Sequence, residues 1–520
     1  MEIDGHSLTI DKVQQFLADD ELMVSLNPSA RRHMERYQQG VDRLLASGTK
    51  MVYGYHTGLG RLKDFTVHAE DQALFQINIL HSHATGIGPY FNDKISRLAL
   101  LLRANVLSRG HAGVRPELVE RLLTLINHRV YPMLRQIGSL GVGDLQPMAQ
   151  LGLCLTGMPE GELKFAGEVG PAPDILRKAG VDPIYFPLAR LEALALISGG
   201  TVLYAASLLA YHKASRLIDL ADAALALNME ALRGEIDAYD PRVHQARGIA
   251  GQIHSAECVR RLVRGSQFLG NQLFSTGPRV QDPVSFRSGP QIHGAVRDTL
   301  AYVETVLARG LNASTHNPMF FEGEDGQFDS LSGGNFHGSL TSYAMDLAAI
   351  VMTDLSVLSE RRSARLLDPT MSHGLPLNLV AEQQGLNTGF ALIQANATAL
   401  VSEMRVHATP ASVGSMPSKN NQEDHNSMGM TAVRKLLRIL EGVQMTLAVE
   451  FLCACQGIDL VRREHPGLRL GQGTDRLYAR IRQDLPAIFH DVYSGQLLFQ
   501  MSALMEQDDL LTIFRQATRF

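Results

Sequence analysis

Cysteine is scarce in this chain of 520 residues: there are four, Cys154, Cys258, Cys453 and Cys455. None falls in a C-x-x-C pair, and each sits in an apolar or helical context. That excludes a disulfide framework and points to buried free thiols in a reducing cytoplasm. An excess of charge of one sign is equally lacking. The 48 Lys and Arg against 53 Asp and Glu leave a net charge of −5, so nothing calls for nucleic acid or an anionic membrane as partner. The 19 His are scattered without H-x-x-H or H-E-x-x-H spacing, and no metal site is expected. The opening MEIDGHSLTIDKVQQFLADD carries acids and lacks an apolar core, so no signal peptide is read there. Internal repeats and low-complexity linkers are missing. Strand signals are few: a short run near Leu74 to Leu80 and weak turn material around Phe320 to Phe328.

What is present is helical periodicity on a background that is 45% hydrophobic. The pattern predicts helices over Ser96 to Ser108 and Pro116 to Leu134. Longer ones follow over Thr201 to Leu232, Gln291 to Ala308, Ser339 to Leu366, Asn387 to Val406 and Ser427 to Cys455. Several are rich in Ala and Leu on more than one face, which places them inside a large bundle. The run Ala193 to Tyr211 is nearly free of charge and about long enough to span a bilayer. Ser-Gly-Gly-Thr interrupts it and Glu192, His212 and Lys213 flank it, so a buried bundle helix is expected rather than a membrane span.

Glycine-rich loops gather at Tyr53–Gly60, Gly86–Gly88, Gly138–Gly143, Ser198–Gly200 and Ser332–Gly338. Between long helices, such loops either connect elements or bring backbone close to a ligand. Their polar and aromatic insertions point to one shared pocket.

At these loops the chain resembles the histidine/phenylalanine ammonia-lyase family. The resemblance is carried by YGYHTGLG (Tyr53 to Gly60), SHATGIG (Ser82 to Gly88), RANVLSRGHAGVRPELVE (Arg103 to Glu120) and RVQDPVSFRSGPQIHGA (Arg279 to Ala295). SGGNFHG (Ser332 to Gly338), LSERRSARLLDP (Leu358 to Pro369) and NQEDHNSMG (Asn421 to Gly429) continue it in family order. It implies a mainly α fold with a long central helical bundle of the ammonia-lyase/fumarase-like type and a loop-rich active-site region near the N-terminal half. On that basis we expect a loop-rich domain over 1–200 and the bundle with its C-terminal helices over 201–520. It also implies a cytoplasmic homotetramer acting on a small-molecule substrate, each site sharing loops from three subunits. The family's electrophile, a methylidene-imidazolone, forms from an Ala-Ser-Gly triplet.

The stretch GSLGVGDL, Gly138 to Leu145, departs from the family's G-S-x-G-A-S-G-D-L. Gly141, Val142 and Gly143 occupy the triplet's place with one position and its serine missing. Val142 has no hydroxyl to eliminate, so this degenerate loop predicts that the prosthetic group is absent and that no cofactor is used. Val284 stands where the family usually has a catalytic Tyr, and Ser198 where it has an Asn that bonds the electrophile and the amine.

The proton-abstracting half is retained. Tyr53 is the expected base; its phenol, with an ordinary pKa of about 10, needs a cation or backbone amides to lower it, and Lys63 or the Gly-rich loop could serve. Arg287 is expected to grip a substrate carboxylate bidentately and to stabilise charge that develops there. The resemblance further assigns His83, Gln281, Phe336, Glu403 and Gln422 to the substrate. Glu403 matches the position at which histidine-type lyases keep a carboxylate near the imidazole. Glu423 reads as structural. Tyr55 and Phe336 are expected to wall a cation.

A trimethylammonium group leaves as a neutral amine and needs no electrophile. The sequence therefore predicts a lyase that releases trimethylamine from a histidine betaine, most simply ergothioneine to thiolurocanate, resembling the ergothionase subfamily. The alternatives are a conventional histidine or other aromatic amino acid ammonia-lyase, and a non-catalytic paralogue that binds an amino acid or betaine.

Overall fold

The computed structural model describes residues 1–270 and 279–519. Helices dominate, as expected, and the long ones fall where the periodicity placed them: Thr201–Leu232, Gly289–Gly310, Ser339–Leu367, Ala391–His407 and Gly429–Glu464. The Thr201–Leu232 helix is buried on nearly every face, which its Ala- and Leu-rich sequence permits. In the apolar span Glu192–Leu232, the most hydrophobic window is 94% buried inside the protein. All four cysteines are free and buried.

The run near Leu74 to Leu80, expected as a strand, is instead the helix Gln72–His83. Gln76, Ile79 and Leu80 are its buried residues, a spacing that fits one helix face and not an alternating strand. Pro116–Asn127 ends earlier than expected, and the chain continues into the short strand Tyr131–Pro132. That strand pairs with Glu162–Phe165, which in turn pairs with Glu168–Pro171. The turn material near Phe320 forms an antiparallel hairpin, Met319–Glu322 with Phe328–Leu331.

The chain divides into two compact units. The first is Met1–Ala210, Val303–Asp346 and Pro410–Arg434; the second is Tyr211–Tyr302, Leu347–Thr409 and Lys435–Phe520. Junctions between the units fall inside the Thr201–Leu232, Gly289–Gly310, Ser339–Leu367 and Gly429–Glu464 helices.

In the first unit, residues Ile95 to Leu107 of the Asp93–Leu107 helix are buried throughout, and the Asn92 side chain caps its start by accepting from the Ile95 amide at 3.1 Å. Val41, Leu45, Val52, Leu191, Phe320 and Phe328 form an apolar cluster beside the Tyr53 loop.

The second unit is built around buried charge. Nδ1 of His293 meets Asp222 at 2.7 Å, and Arg297 reaches the other Asp222 oxygen at 2.6 Å. Arg362 donates to His293 Nε2 at 3.3 Å and grips Glu450 with both its Nε and a terminal nitrogen. Because Arg362 can only donate, His293 carries its proton on Nδ1. Burial holds the imidazole below its ordinary value against the pull of Asp222. Burial opposes the charge on Asp222, but Arg297 and His293 outweigh it and hold that carboxyl low.

Candidate active site

The loop after Val52 folds back on itself. The His56 amide donates to the Val52 carbonyl at 2.9 Å, the Val67 amide to His56 at 3.0 Å, and the Gly58 amide to Phe65 at 3.0 Å. This brings Gly60 beneath Tyr53, whose hydroxyl accepts from the Gly60 amide at 2.8 Å. Burial pushes the half-buried phenol up, the Gly60 amide pulls it down, and the Glu423 carboxylate pushes it up, so the phenol lies above its ordinary value. The expected lowering by Lys63 is therefore corrected. Lys63 is exposed, and its ammonium meets Asp64 at 3.1 Å. Tyr55 does not wall an open site either: it packs on the apolar cluster and edge-on against His56, with ring centroids 4.7 Å apart.

His83 ends the Gln72–His83 helix. Its Nδ1 lies 2.8 Å from the Ile79 carbonyl and 2.9 Å from Ser82 Oγ. Burial lowers its pKa first; the Ile79 bond raises it, Lys419 lowers it, and Glu423 raises it. Tyr53, His83 and Glu423 thus share one electrostatic neighbourhood in the first unit. Glu423, read as structural from the sequence, is the carboxylate found there. Glu403 lies in the second unit, 64% exposed, with Arg438 at 3.6 Å. Polarity alone could not rank two acids on unrelated segments. The signal available was that Glu423 belongs to a quoted motif next to Gln422.

The Gly138–Gly143 loop is held from several sides. The Asp144 carboxylate is fully buried and accepts from Ser139 Oγ at 2.7 Å and from the Leu203 amide at 2.8 Å. Burial raises the Asp144 pKa, while those donors and Arg103 pull it back. The Gly141 carbonyl accepts from the Gly338 amide at 2.9 Å and from Ser427 Oγ at 2.8 Å. Gly141 has a φ of +82°, and a Cβ there would strike Ser427 Oγ and come within 2.8 Å of the Gly429 nitrogen, so glycine is required. Val142 is buried and bridges His337 through the backbone. His337 in turn stacks on His425 with Nε2 to Nδ1 at 3.2 Å. Sequence reasoning missed Ser427 and Gly338, because their donors meet Gly141 only through long-range folding. Ser198 is buried, and its hydroxyl accepts from the Asn317 amide at 2.9 Å. Phe336 is half-buried and Gln422 exposed.

In the second unit, Arg287 closes the short helix Val284–Arg287. Tyr239 donates to the Phe286 carbonyl at 2.7 Å, and Asp282 accepts from the Glu235 amide at 2.5 Å, so the segment is pinned on both sides of Val284. The buried Nε of Arg287 has no hydrogen-bond partner among the described residues. A buried N–H without an acceptor is an unsatisfied donor. Gln281 and Val284 are exposed. The sequence-predicted residues are thus divided: Tyr53, Lys63, His83, Ser198, Phe336 and Gln422 in the first unit, Gln281, Arg287 and Glu403 in the second.

The family model for aromatic amino acid lyases matches residues 8–483. The chain belongs to the aromatic amino acid lyase family. It is 42% identical over 511 residues to the histidine ammonia-lyase of Chloroflexus aurantiacus, covering 97% of this chain and 96% of that one. The crystal structure of histidine ammonia-lyase from Trypanosoma cruzi matches with a TM-score of 0.89 and 32% identity, over 99% of this chain and 95% of that one. The ergothionase from Treponema denticola also matches, at a TM-score of 0.89 over 98% of this chain and 99% of that one, but at 27% identity.

These comparisons overturn two expectations for this aromatic amino acid lyase. The trimethylamine-releasing reading rested on a few positions around Val142, whereas likeness along nearly the whole chain is greater to histidine ammonia-lyases. The expectation that no cofactor is used falls with it, because membership of the ammonia-lyase line implies the methylidene-imidazolone. The residues present set a separate limit. Gly141, Val142 and Gly143 keep a tightly cradled loop but contain no serine hydroxyl to eliminate, so they do not fit the formation of that group.

Proposed function

We propose that this chain is a carbon–nitrogen lyase that eliminates ammonia from histidine, giving urocanate. The observation that carries the reading is the 42% identity to a histidine ammonia-lyase across 97% of the chain. The Tyr53–His83–Glu423 neighbourhood supports it. Tyr53, as phenolate, takes the β-proton, with the Gly60 amide stabilising the charge on its oxygen. Glu423 and His83 hold the imidazole of the substrate. Arg287 is the group that grips the α-carboxylate of the substrate.

Gln281, Glu403 and Gln422 are exposed in the single chain. They reach substrate in a homotetramer whose sites are shared between subunits, working in the cytoplasm. The test is to incubate the purified full chain with L-histidine and follow urocanate absorbance and free ammonia together. Stoichiometric formation of both is expected. Saturable histidine binding with neither product would overturn the lyase reading.

A further inference from the structure

We infer that Lys419 and Ser418 are positioning residues that hold both oxygens of Glu423, so that its carboxylate faces the Tyr53 phenol and the His83 ring. The inference rests on the reading of Tyr53 and His83 as site residues.

The segment from Ser418 to Glu423 is a closed loop. The Ser418 amide donates to the Glu423 carbonyl at 2.8 Å, and the Glu423 amide returns a bond to Ser418 at 3.4 Å. Inside it, Lys419, Asn420 and Asn421 are three consecutive residues in the left-handed region, with φ of 49°, 53° and 61°. One such non-glycine residue is uncommon, and a run of three persists only where surrounding bonds enforce it. The bonds are present. The Gln422 amide donates to Lys419 at 3.1 Å, and the Asn426 side chain donates to the Met416 carbonyl at 2.6 Å and to Glu423 at 3.3 Å.

This winding turns the Lys419 side chain back on its own loop. Its Nζ meets Glu423 Oε1 at 2.5 Å, while Ser418 Oγ donates to Oε2 at 3.2 Å. Each carboxylate oxygen therefore has its own donor. An acid held at both ends keeps one rotamer, which an exposed glutamate does not. The Glu423 charge acts on Tyr53 and on His83, and the Lys419 charge acts on His83 with the opposite sign. The Gly60 amide at Tyr53, and the Ile79 carbonyl and Ser82 hydroxyl at His83, are neutral hydrogen-bond partners. Glu423 and Lys419 are the charges that act on His83 among the described residues.

The experiment uses the full-length protein without substrate. The rate of diethyl pyrocarbonate modification at His83, read site by site from peptide masses across pH, reports the titration of that ring. Lys419→Met leaves the Glu423 charge unopposed and should move the His83 midpoint up by about 0.5–1 pH unit; Glu423→Gln leaves Lys419 unopposed and should move it down by about as much. Lys419→Arg should stay near the parent value. Shifts of opposite sign cannot come from loop loosening, which would move both variants in one direction. An unmoved midpoint in both variants overturns the inference.

Where histidine is turned over, Lys419→Met should raise KM more than it lowers kcat, and Lys419→Arg should restore KM. A kcat loss with KM unchanged in Lys419→Met counts against the positioning role. Because the modification arm needs no turnover, it decides the matter even if histidine is not the substrate.

Discussion

The hydroxyl of Tyr53 accepts a hydrogen bond from the amide of Gly60, seven residues downstream, at 2.8 Å. A phenol fixed as an acceptor presents its own proton elsewhere, and an ionised oxygen would keep the same bond. Burial and Glu423 nevertheless hold this phenol above its ordinary value. Catalysis that needs the phenolate should therefore rise with pH through the alkaline range, without a plateau near neutrality. Tyr53→Phe should lower kcat by at least about a hundredfold and flatten that rise, with the melting temperature little changed. Initial rates of urocanate formation against pH check both.

The buried Nε of Arg287 has no acceptor among the described residues. Arg287→Gln should raise KM for histidine by about 10–100-fold, the equivalent of a charge-assisted hydrogen bond of about 1.5–3 kcal/mol. Binding of histamine, which lacks the carboxylate, should change little. Competition of histamine against histidine in parent and variant separates the two effects.

Glu230, in the second unit, is buried and accepts from the Gly471 amide at 2.7 Å. Burial raises its pKa to about 7 against the pull of Ser266, Thr474 and that amide. A raised folded value means that the folded state binds the extra proton. Its contribution to stability is complete below the unfolded value and lost as pH climbs toward about 7. Glu230→Gln should therefore be nearly neutral in acid and stabilising in base, by up to about 3 kcal/mol. Melting temperatures in mildly acidic and mildly alkaline buffer check the sign.

The His293–Asp222 pair works in the opposite direction. Both groups titrate below their ordinary values in the fold. The stability they contribute is present above the unfolded values and lost as pH falls, first below about 6.5 for His293 and then below about 4 for Asp222. The protein should lose stability in two stages on acidification. His293→Gln should remove the earlier stage while costing about 1–3 kcal/mol at neutral pH. Denaturant midpoints across pH resolve the stages.

The helices were legible because their periodicity is long and redundant: Thr201–Leu232 is found at the predicted bounds. Leu74 to Leu80 misled because a short apolar run is compatible with either a helix or a strand, and only the burial of Gln76, Ile79 and Leu80 decides it. At the site, motif order pointed to Tyr53, His83 and Arg287 as candidates. It could not see that Lys63 would pair with its own neighbour Asp64, nor that Glu423, whose charge raises the Tyr53 phenol, would share its unit while Glu403 lies in the other. Ion-pair choice is settled by three-dimensional proximity, which residue type does not encode. Val142 is the reverse case. It is a local change read correctly as the loss of a serine hydroxyl, from which a change of reaction was drawn that likeness along the rest of the chain does not support.

The first compact unit draws on three separated stretches, the last ending at Arg434. A ribosome making this protein must therefore translate as far as residue 434 of 520 before that unit holds all of its parts. The long apolar helix Thr201–Leu232 is made well before the last stretches of either unit, which end at Arg434 and Phe520. Chaperone demand during translation follows from this order of emergence, and fragments released before residue 434 should aggregate rather than fold.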